Sequence, residues 1–276
     1  MRVPMVLISS VVVFACGKSE APDAGAVDSG SVEDAGFVAP LCLVDVEDAG
    51  PGTDAGLDFS CRGRTQPSGG QAELVITGKT SRAGFMRTPM SNILVELLRT
   101  DGTVVASATS TDAGLYRLTF DAGCFPFAGE VRATHPSPDA GFALSYSSPG
   151  TPWRYDRSNL ELVLFDESTR GLAAGIANVT LVDGGAVLAM TVEDCAGNPV
   201  EGAVVTTASG AGEVRYVGGS GLPSSTLAST GASGDVVIFN LPGDSVDVSA
   251  SLDGGVFARR VVKVHGDAAT GTFLSP

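Results

Sequence analysis

Two histidines, five cysteines and one tryptophan are the scarce, chemically versatile side chains of this 276-residue chain. A catalytic zinc takes three protein ligands, drawn mostly from His, Cys, Asp and Glu. His135 is followed by Pro136-Ser137-Pro138 and His265 by Gly266-Asp267-Ala268, so neither stands at a metal-ligand spacing, and no metal site is expected. The cysteines include no Cys-x-x-Cys pair, which argues against zinc ribbons and thioredoxin-type redox sites. A serine nucleophile on a strained elbow needs Gly-x-Ser-x-Gly between a strand and a helix. Gly231-Ala232-Ser233-Gly234-Asp235 lacks the last Gly, and Gly243-Asp244-Ser245 lies in a turn; both read as connections between strands. No Gly-rich phosphate loop occurs, and no nucleotide or other small-molecule cofactor is expected. The chemistry left open is that of carboxylates, which as a pair can hydrolyse glycosidic bonds. Most Asp and Glu residues fall in turns or in an acidic leader, so no catalytic residue is assigned, and an enzyme of this kind is the alternative rather than the leading reading.

One surface candidate stands out: Trp153-Arg154-Tyr155-Asp156-Arg157, just after Pro152 and before a strand. Exposed Trp and Tyr flanked by Arg suit stacking on a sugar ring or anchoring a protein partner. Trp153, Arg154, Tyr155 and Arg157 are therefore the candidate ligand surface. The competing expectation is that Trp153 folds back over the edge of its own sheet.

Cys16 organises the N-terminus. Arg2 precedes an apolar run from Met5 to Phe14 and the small residue Ala15, the layout of an export signal over residues 1–15. That run is well short of the roughly 20 residues a membrane-spanning helix needs, and no later run approaches that length. Val13-Phe14-Ala15-Cys16 resembles the bacterial lipobox, whose Cys becomes diacylated. The resemblance implies a lipid anchor on Cys16, placing the chain in the cell envelope, on the outer membrane or cell surface. With Cys16 set aside, Cys42, Cys61, Cys124 and Cys195 form an even set in an exported protein, which reads as disulfides with three connectivities open. The short Cys42–Cys61 loop favours that pair, leaving Cys124 with Cys195.

Residues 16–68 form an acidic spacer. Asp-Ala-Gly recurs at Asp23, Asp34, Asp48 and Asp54 among Pro22, Pro40 and Pro51. Like charges and few large apolar groups leave such a stretch extended and unable to offset its chain entropy. Oxygen-rich Asp repeats can also hold calcium, but the spacings of 11, 14 and 6 have no fixed period, so a flexible tether is expected. The formal net charge of −14 argues against nucleic acid and anionic lipid headgroups as partners.

Beyond the tether, 43% apolar residues and 36 glycines suit an all-β protein rich in turns. Alternation predicts strands at Glu73 to Gly78, Asn92 to Leu97, Thr103 to Ala108 and Leu115 to Phe120, then near 129–134, 141–146 and 159–165. Asp101-Gly102 reads as a hairpin, and Asp-Ala-Gly at Asp112, Asp121 and Asp139 as turns. Asp166 to Ala177 is the one helical stretch, capped by Asp166 or Ser168, with Leu172 and Ile176 on one face. Strands resume at Ala186, Ala203 to Thr206, Val236 to Leu241, Ser245 to Ala250, 256–264 and 270–274. The fold predicted is two tandem antiparallel β-sandwiches, at 69–166 and 185–276, joined by a connector at 167–184.

The halves repeat each other. Pro89 to Val95 lies over Pro199 to Val205, and Ser110 to Gly114 over Ser229 to Gly234; Pro to turn Gly spans 25 residues in the first copy and 35 in the second. The extra residues fall around Gly218 to Ser225, where a loop tolerates them. Both copies resemble the carboxypeptidase-regulatory-like (transthyretin-like, prealbumin-like) β-sandwich: a strand ending in Gly, a Pro leading into a Val-rich strand, a Thr-x-x-Gly turn and an apolar strand closed by Pro-Gly. Leu74 to Gly78, Pro89 to Leu97, Thr111 to Phe120, Val187 to Val205 and Gly234 to Ala250 carry it, although the first copy has Phe120-Asp121-Ala122-Gly123 where the second has Leu241-Pro242-Gly243. In carboxypeptidases the module rides beside a zinc peptidase domain marked by His-x-x-Glu, which neither histidine here provides. The Asp-Ala-Gly spacer behind a lipobox also looks like lipoproteins of myxobacteria. Together these resemblances imply a non-enzymatic envelope lipoprotein whose modules serve binding, adhesion or scaffolding. Its partners would be the membrane through the anchor and a carbohydrate or an envelope protein. An accessory subunit of an envelope complex is the further alternative.

Overall fold

Apolar residues at every second position oblige a strand to bury one face, and this rule shapes both halves. The computed structural model describes residues 53–54, 57–61, 69–84, 87–149 and 151–276. The stretch expected to be a signal peptide, Cys16, Cys42 and most of the expected acidic spacer lie outside these residues.

The first half contains β1 (Glu73–Arg82), β2 (Leu94–Arg99), β3 (Val104–Thr109), β4 (Leu115–Asp121), β5 (Gly129–Thr134), β6 (Ser145–Ser147) and β7 (Arg157–Leu164). In β4, Tyr116, Leu118 and Phe120 are buried between exposed neighbours. They meet Ile93, Val95 and Leu97, each fully buried and worth ~1.5–3 kcal/mol of apolar burial. One layer is β7-β1-β4; the facing layer is β6-β5-β2-β3.

The second half comprises α1 (Glu167–Ile176), β8 (Ala186–Val192), β9 (Val204–Thr207), β10 (Glu213–Val217), β11 (Asp235–Leu241), β12 (Asp244–Leu252), β13 (Gly255–Val264) and β14 (Ala269–Leu274). Here β10-β11-β8-β14 faces β9-β12-β13 across a core that includes Leu188, Ile238, Leu241, Val248 and Val262.

The fold is all-β, as the alternation predicts, with three parallel pairings among the antiparallel ones. In each half the first strand pairs in parallel with the last, β1 with β7 and β8 with β14. The third, β6 with β14, makes the two halves share one nine-stranded sheet. Alternation has the same period in both kinds of ladder, so it cannot tell them apart.

The repeat holds at the level of single hydrogen bonds. Ser110 Oγ donates to the Met90 carbonyl (2.9 Å) and accepts from Ile93 N (3.0 Å); Thr230 Oγ1 donates to the Val200 carbonyl (2.7 Å) and accepts from Ala203 N (2.9 Å). Ser110 thus matches Thr230 rather than Ser229, one residue away from the sequence alignment. Gly114 and Gly234 close the equivalent turns at positive φ. A Cβ there would lie 2.6 Å from the Thr80 carbonyl oxygen in one copy and 2.5 Å from that of Val192 in the other. The copies differ in one edge strand: β3 pairs with β2, whereas β10 crosses to the opposite layer and pairs with β11. That strand, Glu213–Val217, lies just before the stretch that carries the insertion and was not expected there.

The helix begins as predicted, with Asp166 Oδ1 accepting from Thr169 N at 2.8 Å. Its packing face is not the predicted one. Ala174 and Ala177 sit against Val187 and Phe239, while Leu172 and Ile176 face outward. Small side chains let the helix axis approach the sheet closely, so the alanine stripe takes the inner position.

Candidate functional site

The groups with chemical potential gather where the two halves meet. Pairing of β6 with β14 aligns Ser145, Tyr146 and Ser147 with Ala269, Thr270 and Gly271. Ser148 N donates to the Gly271 carbonyl, and Thr272 Oγ1 donates to that of Ser148.

On one side of this seam Glu130, 3% exposed on β5, accepts from Lys263 Nζ at 2.9 Å and contacts His265 Nε2 at 3.0 Å. Tyr146 stacks on the His265 ring with centroids 3.7 Å apart. Burial alone would raise the Glu130 carboxyl, but hydrogen bonds from His265 and Lys263 outweigh it and hold the group below its ordinary value. The three side chains engage one another across the seam, which makes this a lock between halves.

On the other side lies a cleft of about 150 Å³ bounded by Ser148, Trp153, Arg157, Glu193, Arg260 and Phe273. That is about ten times the ~10–15 Å³ a single water requires. The Arg157 guanidinium sits over the Phe273 ring, 5.4 Å from its centroid, and Arg260 donates to the Phe273 carbonyl. Burial, with Asp194 and Asp235 nearby, holds Glu193 above its ordinary value against the pull of Arg157. Burial also lowers Arg260. The lining carries one carboxylate, where glycoside hydrolysis calls for two. Two guanidiniums, a carboxylate and aromatic walls are equipment for binding.

The candidate ligand surface is taken apart by the fold. Trp153 is 8% exposed, bridged to Phe127 and stacked on its ring, so the indole belongs to the first core and offers the cleft only an edge of its wall. A flat apolar ring beside an open sheet end gains more from covering the core than from facing water. Arg154 turns inward to the Gly69 carbonyl, Tyr155 is exposed by itself, and Arg157 alone joins the cleft. Glu193, Arg260 and Phe273 were not singled out from sequence. They lie 36 to 116 residues from Arg157, in or just after strands whose pattern signals only a core.

The disulfides also differ from the favoured pairing. Cys61 bonds Cys195, with Cα atoms 5.7 Å apart, and Cys124 is likewise disulfide-bonded. Part of the expected flexible spacer is consequently docked on the second half. Asp58 N donates to Asp194 Oδ2, Cys195 N donates to the Asp58 carbonyl, and Phe59 packs on Phe257 with rings 5.2 Å apart. Burial opposes the Asp194 charge, but donors from Asp58, Asn198 and Ala196 hold its carboxyl below the ordinary value. Short-loop entropy favours Cys42–Cys61 in an unfolded chain, whereas this docking brings Cys61 to Cys195.

A second, wider concavity of about 580 Å³ lies at the Asp121–Gly123 turn, with Arg99 over Phe127 and Phe125 71% exposed. Among the described residues no group of three or more His, Cys, Asp or Glu is placed to hold a metal, and no helix is long and apolar enough to cross a membrane.

No protein-family model matches the chain, and no curated protein does. Among solved structures it is similar to the Bacillus anthracis TIE protein (9% identity, 72% of this chain and 33% of that one, TM-score 0.23). It is also similar to the shaft pilin SpaA of Lactobacillus rhamnosus GG (12% identity, 74% and 98%, TM-score 0.24) and a streptococcal ancillary pilin (9%, 74% and 62%, TM-score 0.23). The chain spans a third of the length of the first and under two thirds of the last. At these identities and TM-scores no function is carried across.

Proposed function

We propose that this is a non-enzymatic cell-envelope protein, lipid-anchored through Cys16, whose acidic spacer presents two carboxypeptidase-regulatory-like β-sandwich modules, at 69–166 and 185–276, for binding, adhesion or scaffolding. The observation that carries the reading is the Cys61–Cys195 bond, which closes a sequence separation of 134. Disulfides persist in exported proteins and are rare in reducing compartments, so the bond supports export, as the N-terminal signal and lipobox resemblance do. The linked β6–β14 sheet and the Glu130 lock make the paired modules a stiff platform, and the cleft at their seam is equipped to bind.

Metabolic labelling with an alkyne fatty acid tests the anchor. The wild-type chain is expected to take up label and sediment with membranes, and Cys16→Ser to do neither. Label persisting on Cys16→Ser would overturn the assignment.

A further inference from the structure

We propose that the seam cleft binds a monoanionic sugar acid, its carboxylate held by Arg157 and Arg260 and its ring lying against Phe273 beside the edge of Trp153. The inference rests on the display reading above and names the ligand class that the modules would meet.

Four observations converge on it. First, among the described residues neither Arg157 nor Arg260 is in an ion pair, although both reach Phe273. Arg260 is partly buried and has no carboxylate at ion-pair distance, a desolvation cost that an incoming anion relieves, while Arg157 brings a second guanidinium from the exposed rim beside Phe273. The planar fork of Arg matches a carboxylate in two parallel hydrogen bonds. Second, two Arg and one Glu leave the lining at a net single positive charge, which suits a monoanion; a phosphate, at about −1.5 to −2, would meet Glu193 with surplus repulsion. Third, the chain's net charge of −14 disfavours polyanions at long range. Fourth, the remaining lining is what a sugar ring requires: apolar surface from Phe273, Leu160 and the edge of Trp153, hydroxyls from Ser148 and Thr151, and the Glu193 carboxylate to accept from ring hydroxyls. A capped acidic side chain would use the two Arg but leave that hydroxyl set idle.

The molecule supplies its own reporter, because its only tryptophan, Trp153, lines the cleft. The full chain in detergent would be titrated with galacturonate, galactose, acetate, inorganic phosphate and N-acetyl-aspartate amide. Binding would be read by tryptophan fluorescence and by equilibrium dialysis of radiolabelled galacturonate. Galacturonate is expected to saturate, with every other probe about tenfold weaker or more, the scale of a lost charge-assisted contact. Arg157→Gln, at an exposed position, is expected to weaken galacturonate by about tenfold, with Arg157→Lys in between. No saturation in dialysis, equal affinity for galactose, phosphate or the aspartate amide, or an unchanged Arg157→Gln would each overturn the proposal. A failed titration leaves the fatty-acid result at Cys16 standing, and failed labelling leaves the titration interpretable, so the two readings fail separately.

Discussion

At the scale of single residues, the hydroxyls of Ser110 and Thr230 show how a repeat survives sequence drift. Each bridges a carbonyl and an N–H three residues apart on the segment entering a strand, and each is nearly sealed from water. Removing such a bridge takes the acceptor from a buried N–H and one donor from the carbonyl, a cost of ~1–3 kcal/mol. Ser110→Ala and Thr230→Ala are expected to destabilise by that amount, with Thr230→Ser close to wild type, as read by urea unfolding midpoints. The same scale governs the cysteines. If Cys16 carries the proposed lipid, Cys42 is the cysteine that remains for Cys124 beside the Cys61–Cys195 bond. Non-reducing peptide mapping is expected to recover that pair, and a disulfide containing Cys16 would refute the anchor.

At the scale of elements, the docked segment 57–61 contributes most that was unexpected. It adds Leu57 and Phe59 to the second core and ties them down covalently. A cross-link over so long a loop contributes about 2–5 kcal/mol in the chain-entropy account. The double variant Cys61→Ser/Cys195→Ser is expected to lose that much in chemical denaturation, and Phe59→Ala in the wild-type background a smaller part of it. The helix makes the complementary point. Its cap was readable because Asp166 and Thr169 are three residues apart, a local geometry. Its inner face was not, because the sheet it meets comes from Val187 and Phe239, on strands that follow it in the chain.

For the molecule as a whole, the seam decides how the halves act together. Glu130 belongs to the first half, Lys263 and His265 to the second. A carboxyl held below its ordinary value of 4.5 stabilises the fold above that pH and loses its contribution as pH falls through the depressed value. Wild-type stability is therefore expected to drop on acidification below 4.5, and Glu130→Gln to start lower and show a shallower drop over the same range. Thermal unfolding across a pH series checks both; parallel curves for the two proteins would show that the lock is electrostatically idle.

Local chemistry was legible in the residue order itself. Alternation set the strands and their buried faces, glycine set the turns at 114 and 234, and the Asp166 cap set the helix start, because each depends on neighbours a few positions away. The pairing of Cys61 with Cys195, the parallel joint of β6 to β14, the withdrawal of Trp153 into the core and the meeting of Arg157 with Glu193, Arg260 and Phe273 were decided only by tertiary structure. These contacts join residues tens to more than a hundred positions apart. Nothing in a local pattern encodes which distant surface will exclude water best when the two halves close on each other.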